Sequence, residues 1–173
     1  LTTVSAEAPK DVSSGLALHL PLNEPDGPLR GIVDGQAREW PATLTRIDAP
    51  LGKAPVISDA PVDLGDLGSF SRGEQVSFGG FVRIEGKPTG AIIARMNPGE
   101  SYRGWDLYLQ NGQPASHVID TWDRAANKIV APAPLASGEW HHVIVTFDGK
   151  SAANQASAIY VDGKRADAQV VPA

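Results

Sequence analysis

Histidines and carboxylates are the residues most able to do chemistry in this chain, and their spacing limits what that chemistry could be. His141 and His142 are adjacent. On a strand, neighbouring side chains point to opposite faces, so these two cannot share one ion, and one of them is expected to be a core or sheet-face histidine with a hydrogen bond. His19 and His117 each stand alone in sequence. Glycoside hydrolysis with retention needs an acid and a nucleophile about 5 Å apart. Here Glu85, Glu100 and Glu139 are isolated, and Glu24 with Asp26 falls in a Pro-Gly loop. A serine nucleophile elbow needs Gly-x-Ser-x-Gly leading into a helix. The nearest stretch, Phe70-Ser71-Arg72-Gly73, has Ser69 in place of the first glycine and no helix after it. Nothing in the spacing points to catalysis, and the chain is read as a protein that is not an enzyme.

Binding chemistry is better served. The run Trp105 to Gln110 alternates so that Trp105, Leu107 and Leu109 share one face, and Asp106, Tyr108 and Gln110 the other. The second set is expected to look outward. With Arg95, His117 and Trp122 it would combine an aromatic stacking surface with directional hydrogen bonds, the mixture of an orienting ligand site. The candidate ligand-binding residues are therefore Arg95, Asp106, Tyr108, His117 and Trp122. Calcium prefers six to eight oxygen ligands. Asp120, Asp123 and Asn97 are candidate donors for it, with Asp63 and Asp66 as a second cluster, although no spacing resembles a dedicated calcium loop. Trp40 and Trp122 are expected in loops.

Composition narrows the partners. The chain has 173 residues, a formal net charge of −5 and no cysteine. An acidic balance disfavours a phosphate backbone as partner. The missing thiols exclude a disulfide framework, a thiolate zinc site and covalent haem attachment. No apolar run is long enough to span a bilayer. No cofactor is implied, calcium apart. The length suits one domain, and residues 1–15, rich in Ser, Ala, Thr and Pro, read as a linker or frayed lead-in.

The elements that must position these residues are short strands. Residues 16–22 alternate Leu16, Leu18, Leu20 and Leu22 with Ala17, His19 and Pro21, the period of a half-buried strand near an edge. As far as Gly73, six prolines and many glycines make helices improbable, and short strands are expected at 54–57 and 62–67. Stronger strands follow at 76–84, 91–95, 105–110, 115–120, 128–130, 140–148 and 158–161. The Gly79-Gly80 pair is expected to mark a bulge or a close backbone approach. Asp162-Gly163 supplies the positive φ angles of a tight hairpin turn. Many short strands with this punctuation indicate an antiparallel β-sandwich or barrel.

The stretch Ser137-Gly-Glu-Trp-His-His-Val-Ile-Val-Thr-Phe-Asp-Gly149, followed by Ile159-Tyr-Val-Asp-Gly-Lys164, resembles the signature of laminin-G-like, concanavalin A-like lectin/glucanase jelly rolls. Leu16-Ala-Leu-His-Leu-Pro-Leu-Asn-Glu24 resembles their first strand, and Val76-Ser-Phe-Gly-Gly-Phe-Val82 a middle strand. The resemblance covers residues 16–165. Arg103-Gly-Trp-Asp-Leu-Tyr-Leu109 and His117-Val-Ile-Asp-Thr-Trp122 are further similar to the concanavalin-like domain embedded in large planctomycete proteins that also carry c-type cytochrome modules.

What the resemblance implies is an all-β jelly-roll domain over 16–173, serving as a non-catalytic recognition module of a larger secreted, periplasmic or extracellular protein. Its partner would be a glycan or a polypeptide. The resemblance also implies core places for Trp140 and Trp105. The alternative is a structural domain that packs on a catalytic or redox neighbour, and a contiguous exposed apolar patch would favour it. Glucanases of this fold carry Glu-x-Asp-x-x-Glu on one strand, which is missing here, so a glucan hydrolase is a lesser reading. Family members continue beyond the Asp-Gly hairpin into closing strands, whereas this chain stops at Ala173. An edge left open by such truncation would pair with a second copy as a homodimer, or with the 1–15 segment.

Overall fold

Alternating apolar and polar residues, β-branched side chains and tight turns produce strands almost everywhere in this computed structural model, which describes residues 15–57, 60–71, 73–121, 126–149 and 156–171. Fourteen strands and one short 3₁₀ turn, Pro98–Glu100, make up the regular structure of those residues. No helix among them is long and apolar enough to cross a membrane. The chain divides after Gly68 into two compact units.

The first unit holds β1 (Leu18–His19), β2 (Leu29–Val33) and β3 (Gln36–Trp40), ordered β1-β2-β3, and a separate hairpin of β4 (Arg46–Ala49) and β5 (Gly52–Pro55). Asp34 and Gly35, both at positive φ, form the two-residue turn between β2 and β3. Leu29, Val33 and Trp40 are buried there, with Leu18, Leu20, Leu22 and Leu44 packed against them. Three expectations need correction. The strand expected over 16–22 is limited to Leu18–His19, because Pro21 offers no backbone N–H for a ladder. Residues 62–67 form no strand, although Val62, Leu64 and Leu67 pack on the core as irregular chain. Trp40 is not a loop residue: it ends β3, is buried, and donates its indole Nε1–H to the Leu64 carbonyl at 2.9 Å.

The second unit is an antiparallel sandwich. Its five-stranded sheet has the order β14-β10-β9-β8-β7, built from β7 (Gly90–Asn97), β8 (Arg103–Gln110), β9 (Gln113–Ile119), β10 (Ala126–Val130) and β14 (Gln169–Val170). The four-stranded sheet has the order β13-β12-β11-β6, from β6 (Val76–Arg83), β11 (Trp140–Phe147), β12 (Ser157–Val161) and β13 (Lys164–Arg165). Leu107, Leu109 and Ile129 of the first sheet cluster with Val143, Val145 and Ile159 of the second. The rings of Phe78 and Trp105 meet between the sheets at 4.3 Å. Asp162 and Gly163, both at positive φ, turn β12 into β13 as the sequence suggests. The chain then crosses to the other sheet, where β14 pairs Val170 with Ile129 and Gln169 with Val130.

Gly79 marks a close backbone approach without a bulge. A side chain there would run into the Val143 carbonyl, yet β6 and β11 keep unbroken register from Val76 opposite Phe147 to Arg83 opposite Trp140. The register break falls instead in β7, between Ala91 and Ile93. Facing residues of an antiparallel pair share a sheet face, so Trp140 lies on the outward face with Arg83 and is half-buried. This corrects its expected place in the core, which β11 fills with Val143, Val145 and Phe147.

Candidate functional site

Strand β8 carries the candidate residues, and its alternation is as expected. Trp105, Leu107 and Leu109 are buried toward the four-stranded sheet, and Asp106, Tyr108 and Gln110 lie on the other side. The pairing of β8 with β9 sets Asp106 opposite His117 and Tyr108 opposite Ala115. Asn111 and Gly112, both at positive φ, form the turn that leads from Gln110 to Gln113. Strand β10 then places Lys128 opposite His117 and Val130 opposite Ala115.

The centre of this face is a hydrogen-bonded aromatic pair. The rings of Tyr108 and His117 stack, with centroids 4.8 Å apart and planes inclined by 14°. His117 Nδ1 lies 3.0 Å from Asp106 Oδ2, and the His117 amide N–H donates to Asp106 Oδ1 at 2.6 Å. Both partners are buried, so Asp106 does not look out to solvent as expected from alternation alone. A carboxylate at this depth needs such partners, because an unpaired buried charge is costly. With Asp106 aligned on Nδ1, the imidazole is fixed in orientation, the arrangement by which a carboxylate sets a histidine's tautomer.

Tyr108 is the half-exposed member of the group. Its hydroxyl donates to Gln110 Oε1 at 3.1 Å. Burial first, and the negative charge of Asp106 second, push its pKa up to about 12, so the phenol keeps its proton as a donor at any physiological pH. Beyond Gln110 the face opens into a recess of about 230 Å³ lined by the amides of Gln110, Gln113 and Gln169 beside Val130, Pro132 and Val171. Gln113 Nε2 donates to the Ala131 carbonyl at 2.9 Å, which fixes the orientation of its amide.

Asp106, Tyr108 and His117 are therefore brought together, and Arg95 is not among them. Arg95 stands opposite Trp105 and shares its face, the one turned to the four-stranded sheet, so it is not part of the outward group. Trp122 and Asp123 lie outside the described residues. Gln113, Lys128 and Gln169 join the face without having been anticipated. For Gln113 the signal was present, since an Asn-Gly turn pairs the residues that flank it. For Lys128 and Gln169 the placement depends on pairing between strands distant in sequence.

The calcium donors Asn97 and Asp120 come to the same end of the sheet, but Arg103 is already between them. Arg103 Nη2 lies 3.0 Å from Asp120 Oδ1, and its neighbour across β7 is Asn97. The Asn97 side chain accepts from the Gly99 amide at 3.0 Å, capping the 3₁₀ turn. In the second cluster, Asp63 Oδ1 accepts from the Gly65 amide at 2.8 Å. Among the described residues no three metal-binding side chains form a group. The expected hydrogen-bonded histidine is His141, on the core-side parity of β11 opposite Val82, whose Nδ1 lies 2.8 Å from Asp162 Oδ2. Asp162, which also accepts from the His142 amide at 2.9 Å, is held below the usual carboxylate range chiefly by His141.

No curated protein and no solved structure matches the chain. The family model of laminin-G-like domains described as the concanavalin A-like lectin/glucanases superfamily matches residues 58–173, more than half of the sequence and all of the sandwich described above. The chain belongs to that superfamily, and its antiparallel sandwich is of the concanavalin-like kind.

Proposed function

We propose that this chain is a non-catalytic recognition module of a larger secreted, periplasmic or extracellular protein, and that it binds a glycan on the outward face of its five-stranded sheet. The observation that carries the reading is the stacked Tyr108–His117 pair, oriented by Asp106 and followed by a recess of glutamine amides. A sugar ring offers an apolar C–H face and a rim of hydroxyls. The exposed part of Tyr108 suits the first, and amides that both donate and accept suit the second. Polar groups clustered with an aromatic are the feature that favours a ligand site over a purely structural role. Membership of a lectin-containing superfamily supports the same reading by analogy. The similarity of 103–109 and 117–122 to a planctomycete domain supports a parent that also carries c-type cytochrome modules.

The test is a glycan array probed with the protein, with and without calcium. Binding should be found, should be insensitive to calcium removal, and should fall at least about fivefold in Tyr108→Ala, the loss expected when a stacking contact of about 1 kcal/mol or more is removed. Arg165→Ala, on the other sheet, should leave it unchanged. Failure of the wild type to bind any neutral or acidic glycan, or binding indifferent to Tyr108→Ala, would overturn the proposal.

A further inference from the structure

The described sandwich has four sheet edges, and three of them are protected against pairing with another chain. β13 and β14 are two residues long, too short to template a strand. β7 is interrupted by the register break at Ala91 and Ile93 and carries Arg95. The fourth edge, β6, has no such device. It runs for eight residues in regular register, is hydrogen-bonded to β11 alone among the described residues, and has neither proline nor charge before Arg83. Phe81 on its outward face is 60% exposed, and Val76, Phe78 and Val82 on the core side are only half-buried. A long, flat, apolar strand with one unpaired side is the standard template for strand addition.

We propose that β6 pairs antiparallel with β6 of a second copy of this chain, about a two-fold axis at Gly80, so that the two four-stranded sheets join into one. The strand is complementary to itself in this register, which favours a second copy as its partner. Gly79 must lack a side chain because of the Val143 carbonyl, which leaves a gap on the outward face. Phe81 stands opposite the partner's Gly79 and covers that gap, and the symmetry repeats the contact. Covering an edge glycine with a cross-strand aromatic is a known way to stabilise such a pair. On the core side Phe78 faces the partner's Val82, so half-buried apolar groups gain cover on both copies. Arg83 faces the partner's Ser77, and no like charges meet.

The sequence has no cysteine, so single thiols can report the register. Facing Cα atoms of an antiparallel pair lie about 4.5 to 5.5 Å apart, within the span of a disulfide. Gly80→Cys faces itself across the axis, and a side chain there meets no atom within 4 Å. Sedimentation of the whole chain should give twice the 18.2 kDa mass of one copy. Oxidised Gly80→Cys should run as a covalent dimer, and Ser77→Cys should not. Phe81→Lys, an exposed substitution, should weaken the dimer at least about tenfold by placing a charge at the edge, with an unchanged circular dichroism spectrum. Ser77→Lys is the second variant of the same kind, should Phe81→Lys fail to fold. A wild type that remains monomeric at all concentrations overturns the proposal, as does a dimer that tolerates both lysines. Equal cross-linking of Ser77→Cys and Gly80→Cys overturns the register.

Discussion

Tyr108 shows how far a single residue's behaviour follows from its neighbours. The parity of β8 puts it on the outward face, and this much can be read from Trp105, Leu107 and Leu109 alone. Its ionisation depends on what the fold adds, burial beside Tyr108's own strand and the Asp106 carboxylate two residues away. Since the folded pKa of about 12 lies above the ordinary phenol value of 10.0, the protonated phenol contributes stability that is fully present below pH 10 and is lost as pH rises through about 12. In an alkaline titration followed by phenolate absorbance, one of the three tyrosines should ionise late, and Tyr108→Phe should remove that late step. A wild type whose tyrosines all ionise together near 10 would show that the phenol is neither desolvated nor beside a charge. The same contrast explains Asp106. Alternation gives its face correctly, but its burial comes from His117, eleven residues along and on another strand. Trp140 is different, because its parity relative to Val143, Val145 and Phe147 already placed it outside the core.

At the scale of elements, the sandwich strands were legible because each is a short alternating run bounded by turn residues. All seven expected there differ from the observed bounds by no more than two residues at either end, as hydrogen-bond-defined ends usually do. The first unit was less legible. Its β2–β3 hairpin turns on Asp34-Gly35, the same signal as Asp162-Gly163, but the surrounding prolines obscured it. The glycine pair in β6 was recognised, and the structure separates its members. Gly79, at φ 149°, abuts the backbone of Val143 and Ile144, whereas nothing lies within 4 Å of a side chain at Gly80. Gly79→Ala should therefore cost about 2 kcal/mol or more, through strain that separates β6 from β11. Gly80→Ala should stay within about 1 kcal/mol of the wild type. Chemical denaturation of both variants is the measurement. Equal losses would mean that the close approach at Gly79 is relieved by a small shift of β11.

For the whole molecule, the distribution of carboxylates bears on whether a fold shared with glucanases can act as one here. Retaining or inverting hydrolysis needs two carboxyl groups that converge on one bond from opposite sides. Among the described residues, five of the carboxylates are each engaged by a separate partner group: Asp106 by His117, Glu24 by the Arg30 amide, Glu39 by the Arg30 side chain, Glu85 by Arg83, and Asp120 by Arg103. The one acid at the centre of the candidate site, Asp106, has an imidazole for its neighbour, and the recess beyond it is lined by amides in place of acids. Amides hold hydroxyls but do not exchange protons with a leaving group at neutral pH. The expected outcome is that the protein releases no reducing sugar from laminarin, cellulose, agarose or xylan, including any glycan that the array shows it to bind. Turnover that survives repurification and disappears in Asp106→Asn would make the Asp106–His117 pair a catalytic acid–base device, and the recognition reading would give way to a hydrolase.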